Sequence, residues 1–164
     1  MMWRVARPED VPFLVEWNKQ LIQDEGHRNP MTVAELEERM RDWLVSGEYR
    51  AVVFEENECA VAYALFKESE TEVHLRQFFV TRSRRREGIG RQAILRLLSD
   101  CWPANKRLTV DVLTQNAPAI SFWRALGYTD YALSLEIVPE AQRGTASFPT
   151  SIDRLTGDQE TNKL

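Results

Sequence analysis

Arg84-Arg85-Arg86-Glu87-Gly88-Ile89-Gly90-Arg91 joins two patterns of different period, and that joint decides the fold. Before it, residues 72 to 81 alternate as a strand that ends on the bulky run Phe78-Phe79-Val80. After it, Ile94, Leu97, Leu98 and Cys101 fall three and four residues apart, as one face of a helix that stops ahead of Pro103. Two closely spaced glycines let backbone N–H groups approach an anion with no Cβ in the way, and the following helix turns its positive dipole end to the same point. The arginines add charge-assisted donors. A Gly-x-Gly pair alone is more often a solvated basic turn than a ligand loop, so its flanks carry the argument.

Toward the N-terminus, residues 2 to 7 read as a short strand. Pro8 then opens a helix with Val11, Leu14, Leu21 and Ile22 on its apolar face, ending near Gly26. Thr32 and Glu35 form a capping box for a second helix, whose stripe is Leu36, Met40, Trp43 and Leu44 and whose end is Gly47. Strands follow at 49 to 55, 59 to 67 and 72 to 81, joined by turns too short for anything but antiparallel neighbours. Beyond the basic loop and its helix, Leu108 to Leu113 is a β-branched strand, Asn116 to Leu126 a helix closed by Gly127, and 128 to 138 a final half-buried strand with Leu133, Leu135 and Ile137 on one side. The order β-α-α-β-β-β-α-β-α-β predicts an α/β fold with a mixed sheet. It fills a single domain over 1–138, and 139–164 is a polar tail expected to be loosely ordered.

The 164 residues, 43% hydrophobic and 28% charged, suit one enclosed core. No apolar run approaches a membrane span, and Arg4, Arg7, Glu9 and Asp10 interrupt any signal-peptide pattern, so a cytoplasmic place with no membrane partner is expected. Cys59 and Cys101 read as buried free thiols, and no metal is expected. Residues 82 to 91 hold five arginines and one glutamate inside a chain of net charge −4. So sharp a focus suits one polyanionic small ligand and argues against a nucleic-acid surface, which spreads its basic residues along a face.

With the elements in this order, two motifs resemble the GNAT superfamily of acyl-CoA-dependent N-acyltransferases over about residues 2 to 138. One is the Arg/Gln-x-x-Gly-x-Gly/Ala loop, matched by Arg85, Gly88 and Gly90 directly after Phe78-Phe79-Val80. The other is Asn116 followed by Ala119-Ile120-Ser121-Phe122-Trp123-Arg124-Ala125-Leu126-Gly127-Tyr128. The resemblance implies an acetyl-CoA donor whose pyrophosphate lies on the loop amides of Arg85, Arg86, Glu87, Gly88, Ile89, Gly90 and Arg91. It also implies a cleft between the fourth and fifth strands for the pantetheine arm, paired with backbone near Phe79 and Val80. Val80 N–H then becomes a donor to the thioester carbonyl as it gains charge. Asn116 either caps the last helix, bonds the arm, or does both.

The resemblance further implies attack by a primary amine, which must lose a proton. Family members often carry a base glutamate eleven residues before the loop's opening Arg/Gln; here that position is His74, an imidazole suited to proton transfer near neutrality. Glu72, on the same strand face, is the alternative base, acting directly or through water. The tyrosine that many relatives use to protonate the leaving thiolate is replaced by Trp123, which fits beside the arm instead, while Tyr128 reads as core. Trp17 to Met31 should cover the acceptor side, where Glu16, Asp24 and Glu25 are candidates to attract a cation. The expected activity is N-acetyl transfer to a small-molecule amine. A protein amine as acceptor and a non-catalytic acyl-CoA sensor are the alternatives, and a homodimer is common in the family.

Overall fold

The computed structural model describes residues 1–139, which places the polar tail from residue 140 onward outside the described residues. Met1–Thr129 form one compact unit. Its centre is a five-stranded sheet in the order β1-β2-β3-β4-β5: β1 Met2–Val5, β2 Arg50–Glu56, β3 Cys59–Glu68, β4 Glu72–Val80 and β5 Arg107–Val110. The first four strands are antiparallel, and β5 is parallel to β4. The helices are α1 Val11–Glu25, α2 Val33–Ser46, α3 Ile89–Arg96, continued by a π-helical turn over Leu97–Cys101, and α4 Ala117–Ala125.

The period-2 strands sort the apolar side chains into two layers. α1 and α2 bury Val11, Leu14, Leu36 and Met40 against Val53, Tyr63, Leu65 and Phe79 on one face of the sheet. Ile89, Ala93, Ile94 and Trp123, from α3 and α4, pack on Val52, Ala64, Phe66 and Leu75 on the other. Local chemistry sets the helix ends. Thr32 and Glu35 exchange side-chain-to-backbone hydrogen bonds at the start of α2, and Gly26 and Gly47 close α1 and α2 in the left-handed conformation.

Two expectations are corrected. Residues 128–138 hold no strand, and Leu133, Leu135 and Ile137 are exposed. Alternation encodes a half-buried strand only where a neighbouring edge completes its ladder, and among the described residues no strand pairs with the outer edge of β5. Cys59 is exposed rather than buried, because it opens β3 at the Asn57-Glu58 turn, whereas Cys101 is half-buried and burial pushes its thiol pKa up.

Candidate active site

The β4–β5 ladder ends at Leu75 opposite Val110. From there the two strands part, and residues 76 to 80 have no partner on the β5 side. On the β3 side the register runs unbroken from Leu65 opposite Gln77 to Ala62 opposite Val80, and Thr81 N–H donates to the Val61 carbonyl at 2.9 Å. Antiparallel pairs alternate between hydrogen-bonded and open. Gln77 and Phe79 therefore spend their backbone groups on β3, while Phe78 and Val80 turn theirs into the gap. The Val80 carbonyl accepts from Arg85 Nε at 3.0 Å, which leaves Val80 N–H and both Phe78 groups facing the cleft. Val80 lies on this edge, whereas the Phe79 backbone groups pair with β3 and its ring is in the α1–α2 core; Phe78, not named as a candidate from the sequence, presents its backbone groups beside Val80.

The basic loop sits at the end of this gap. Arg86 and Gly88 are both left-handed, with φ 69° and 81°, and the first helical bond of α3 is donated by Gln92 to the Gly88 carbonyl at 3.0 Å. No side chain caps the helix, so the N–H groups of Ile89, Gly90 and Arg91 point out of its end. A Cβ on Gly90 would lie 3.4 Å from the Phe122 ring and 3.6 Å from that of Phe78, so a hydrogen there lets α3 press against the aromatic wall of the cleft. Carboxylates hold three of the arginines: Arg82 and Arg85 pair with Asp24 at 2.7 and 2.6 Å, and Arg84 pairs with Glu56 and Glu87, both at 2.8 Å. Among the described residues Arg86 and Arg91 have no carboxylate partner, although Arg91 reaches the Ala125 carbonyl at 3.5 Å. Exposed helix amides beside two uncommitted guanidinium groups fit a pyrophosphate.

Asn116 is a helix cap, its Oδ1 accepting from Ala119 N–H at 3.3 Å. Trp123 is buried, with ring centroids 5.8 Å from Phe78, 4.9 Å from Phe122 and 5.3 Å from Tyr128. Among the described residues the Tyr128 hydroxyl, buried beside it, has no hydrogen-bond partner, and burial raises its pKa to about 12.

On the opposite face β4 carries a bulge: Leu65 faces Gln77 and Phe66 faces Leu75, so Arg76 is the extra residue. His74, Arg76, Gln77 and Phe79 consequently all share the α1–α2 side. The Thr109 hydroxyl donates to Glu72 Oε1 at 3.1 Å and lies 2.9 Å from His74 Nδ1. His74 Nε2 lies 3.8 Å from Asp111 Oδ2. Glu72 is also paired with Arg107 at 2.9 Å. Neither predicted base adjoins the cleft amides. His74 precedes Phe78 by four residues and Val80 by six, about 13 and 20 Å of extended chain, too far for direct contact.

At the end of α1, burial raises the Asp24 pKa, but its hydrogen bonds to Arg82 and Arg85 outweigh that and leave it below its usual value. Glu25 continues the Leu14, Asn18, Leu21 stripe. Burial, then the neighbouring Asp24, push its pKa up. The Tyr63 hydroxyl donates to Gln77 Oε1 at 3.0 Å beneath them and is held protonated by burial. Glu16, the third acidic candidate, is exposed and takes a hydrogen bond from Gln20.

A mixed sheet splayed beside an uncapped helix start defines a class of acyltransferase fold. The acetyltransferase (GNAT) family model matches residues 11–128, and the chain belongs to that family. Its fold is that of a possible acetyltransferase from Clostridium difficile 630, with TM-score 0.71, 17% identity, and coverage of 84% of this chain and 97% of that one. It is also that of a predicted acetyltransferase from Clostridium acetobutylicum solved with acetyl-CoA (TM-score 0.64, 19% identity, 84% and 95% covered). An aminoglycoside 6'-N-acetyltransferase from Acinetobacter haemolyticus is similar at TM-score 0.67 and 14% identity, with 85% and 99% covered. A search of curated proteins found no significant match. Among the described residues no helix is long and apolar enough to cross a membrane, and no three His, Cys, Asp or Glu side chains gather to hold a metal.

Proposed function

We propose that this protein transfers an acetyl group from acetyl-CoA to a primary amine of a small molecule. The carrying observation is the parting of β4 from β5 at Leu75, which turns the Phe78 and Val80 backbone groups into a gap that ends on the uncapped start of α3. The amides of Ile89, Gly90 and Arg91, with Arg86, bind the donor's pyrophosphate, and Phe78 pairs with the pantetheine arm as a neighbouring strand would. Asn116 caps α4 at the edge of the same gap. Acetyl-CoA supplies the activated acyl carbon. Val80 N–H donates to the thioester oxygen as charge develops on it, and because the strand is fixed by β3 this donor needs no reorganisation.

The amine arrives from the α1–α2 side and gives up its proton through water to His74 Nε2, whose ring is oriented by Thr109 and, through it, Glu72. The departing sulfur meets the indole of Trp123, which is no acid, so its proton comes from solvent. Incubation with acetyl-CoA and a panel of small amines, read as free thiol, tests the reading and should give acceptor-dependent release. Release only with peptides would favour a protein acceptor. Saturable coenzyme A binding with no release on any acceptor would favour a sensor, and neither binding nor release would overturn the proposal.

A further inference from the structure

Arg85 opens the donor loop, yet its side chain turns away from the start of α3. The chain reverses just after β4, where Arg84 N–H donates to the Thr81 carbonyl at 2.9 Å and Arg85 N–H to that of Arg82 at 3.5 Å, and the Arg85 side chain returns to the strand end. Three contacts fix it there: Nε donates to the Val80 carbonyl at 3.0 Å, Nη2 donates to Asp24 Oδ2 at 2.6 Å, and Cζ stands 5.1 Å from the centroid of the Phe79 ring. Phe79 packs with α1 and α2, whereas Ile89, the first residue of α3, packs on the other face of the sheet. The guanidinium therefore lies on the α1 side, and its charge is met by a carboxylate of that helix.

The bond to Val80 changes what the strand edge offers. An edge residue whose backbone is not paired presents its N–H and C=O side by side, as Phe78 does here. At Val80 the carbonyl is taken by Arg85, so the N–H faces the gap without a free acceptor beside it. Opposite Val80, then, only a group with an acceptor oxygen finds a partner, and pairing cannot continue past it toward the loop, which leaves an arm on this edge one register. The Val80 carbonyl and Thr81 N–H belong to a single planar peptide unit, and Thr81 N–H donates to the Val61 carbonyl at 2.9 Å. That unit is thus held from both sides, by β3 and by Arg85. A thioester oxygen set against Val80 N–H also meets less repulsion from the neighbouring carbonyl as it gains charge, because a cationic donor has engaged that carbonyl's lone pair.

We infer that Arg85 is a positioning residue for the transfer step: its Nε fixes the end of β4 and sets the thioester oxygen on Val80 N–H, and its charge does not serve the pyrophosphate. The inference rests on the transferase reading for what Val80 N–H stabilises. The register itself can be read from binding alone, since acetyl-CoA carries the thioester oxygen and coenzyme A lacks it.

The experiment separates charge from donor position. Glutamine carries its N–H on the atom bonded to Cδ, as arginine carries Nε, but is neutral; lysine keeps the charge and has a methylene at that place. Arg85 is exposed, so Arg85→Gln, Arg85→Lys and Arg85→Leu should all fold, which thermal unfolding checks. Thiol release gives kcat, and calorimetry gives the affinities for coenzyme A and acetyl-CoA. In Arg85→Leu and Arg85→Lys, kcat should fall at least tenfold and the preference for acetyl-CoA over coenzyme A should shrink to near unity, with coenzyme A affinity held within about threefold. Arg85→Gln should recover most of both. The reverse order, with lysine active and glutamine not, would overturn the inference by showing that charge is what matters. A tenfold loss of coenzyme A affinity in Arg85→Leu would overturn it by assigning the guanidinium to phosphate. Equal kcat in all the proteins would also sink it while leaving the transferase reading in place. If the wild type releases no thiol on any acceptor, the transferase reading falls and the affinity ratio decides the register: kept in Arg85→Gln and lost in Arg85→Lys, it upholds the role of Nε; the same in every variant, it refutes it.

Discussion

Gly88 offers a clean separation of fold from donor binding. It stands at φ 81°, and a Cβ built on it would meet no atom within 4 Å. Any L-residue there carries the left-handed penalty of about 1–2 kcal/mol, so Gly88→Ala and Gly88→Glu should lose stability equally, by about 2–8 °C in Tm for a chain of this size. Their donor affinities should differ sharply. The alanine methyl points into open space and should change coenzyme A binding by no more than about threefold. A glutamate reaching the same space sets its charge beside a phosphate; at 4 Å and an effective dielectric constant near 20, one such repulsion costs about 4 kcal/mol, about a thousandfold in Kd. Titration calorimetry with coenzyme A, alongside thermal unfolding of each variant, reads both quantities. Should Gly88→Glu bind within tenfold of Gly88→Ala, the phosphate does not sit on this loop, and the assignment of α3 as the donor cradle fails.

Other expectations follow from individual contacts. Asp10 is buried, bonded by Arg4 at 2.6 and 3.0 Å and by Arg7 N–H at 2.7 Å. Its pairing with Arg4 above all holds its pKa below the ordinary value, so the stability it contributes is present above about pH 4 and lost as pH falls through its lowered pKa. Asp10→Asn should cost about 2 kcal/mol in urea unfolding at pH 7, and an undiminished midpoint would show the pair to be energetically idle. Glu25 has the opposite sign: burial raises its pKa, so its charge weakens the fold at neutral pH and the penalty fades as acid protonates it. Glu25→Gln should therefore unfold at or above the wild-type temperature at pH 7.5, with the gap closing toward pH 4; a lower temperature at pH 7.5 would contradict this. His74→Ala should lower kcat at neutral pH by at least tenfold and remove the acid limb of the pH–rate profile while sparing donor affinity, and a profile like the wild type's would eliminate the water-linked route.

Most of the fold was legible because it is written in local chemistry. The Thr32–Glu35 box, the glycines at 26 and 47, and the 2 and 3.6 periods of β2 to β4 and α1 to α4 depend on neighbours within a few residues. The last expected strand was not, since alternation at Leu133, Leu135 and Ile137 states a preference for a half-buried edge and cannot supply the edge. The site divides the same way. The loop of Arg85, Gly88 and Gly90 and the strand end at Val80 could be located from spacing, because they are one contiguous stretch of chain. Phe78 could not: whether a backbone amide faces the cleft or β3 depends on the hydrogen-bond phase of the β3–β4 ladder, and a single residue of register reverses it.

The sequence by itself determined the family and the order of elements from β1 to α4, both properties of contiguous chain. Only the tertiary structure decided what the charges do. Asp24 and Arg85, 61 positions apart, neutralise one another, whereas Arg39 and Arg76 are brought to the same Trp43 ring with no ion pair to either among the described residues. Electrostatic energy depends on distance through space and on burial, and neither is carried by position along the chain.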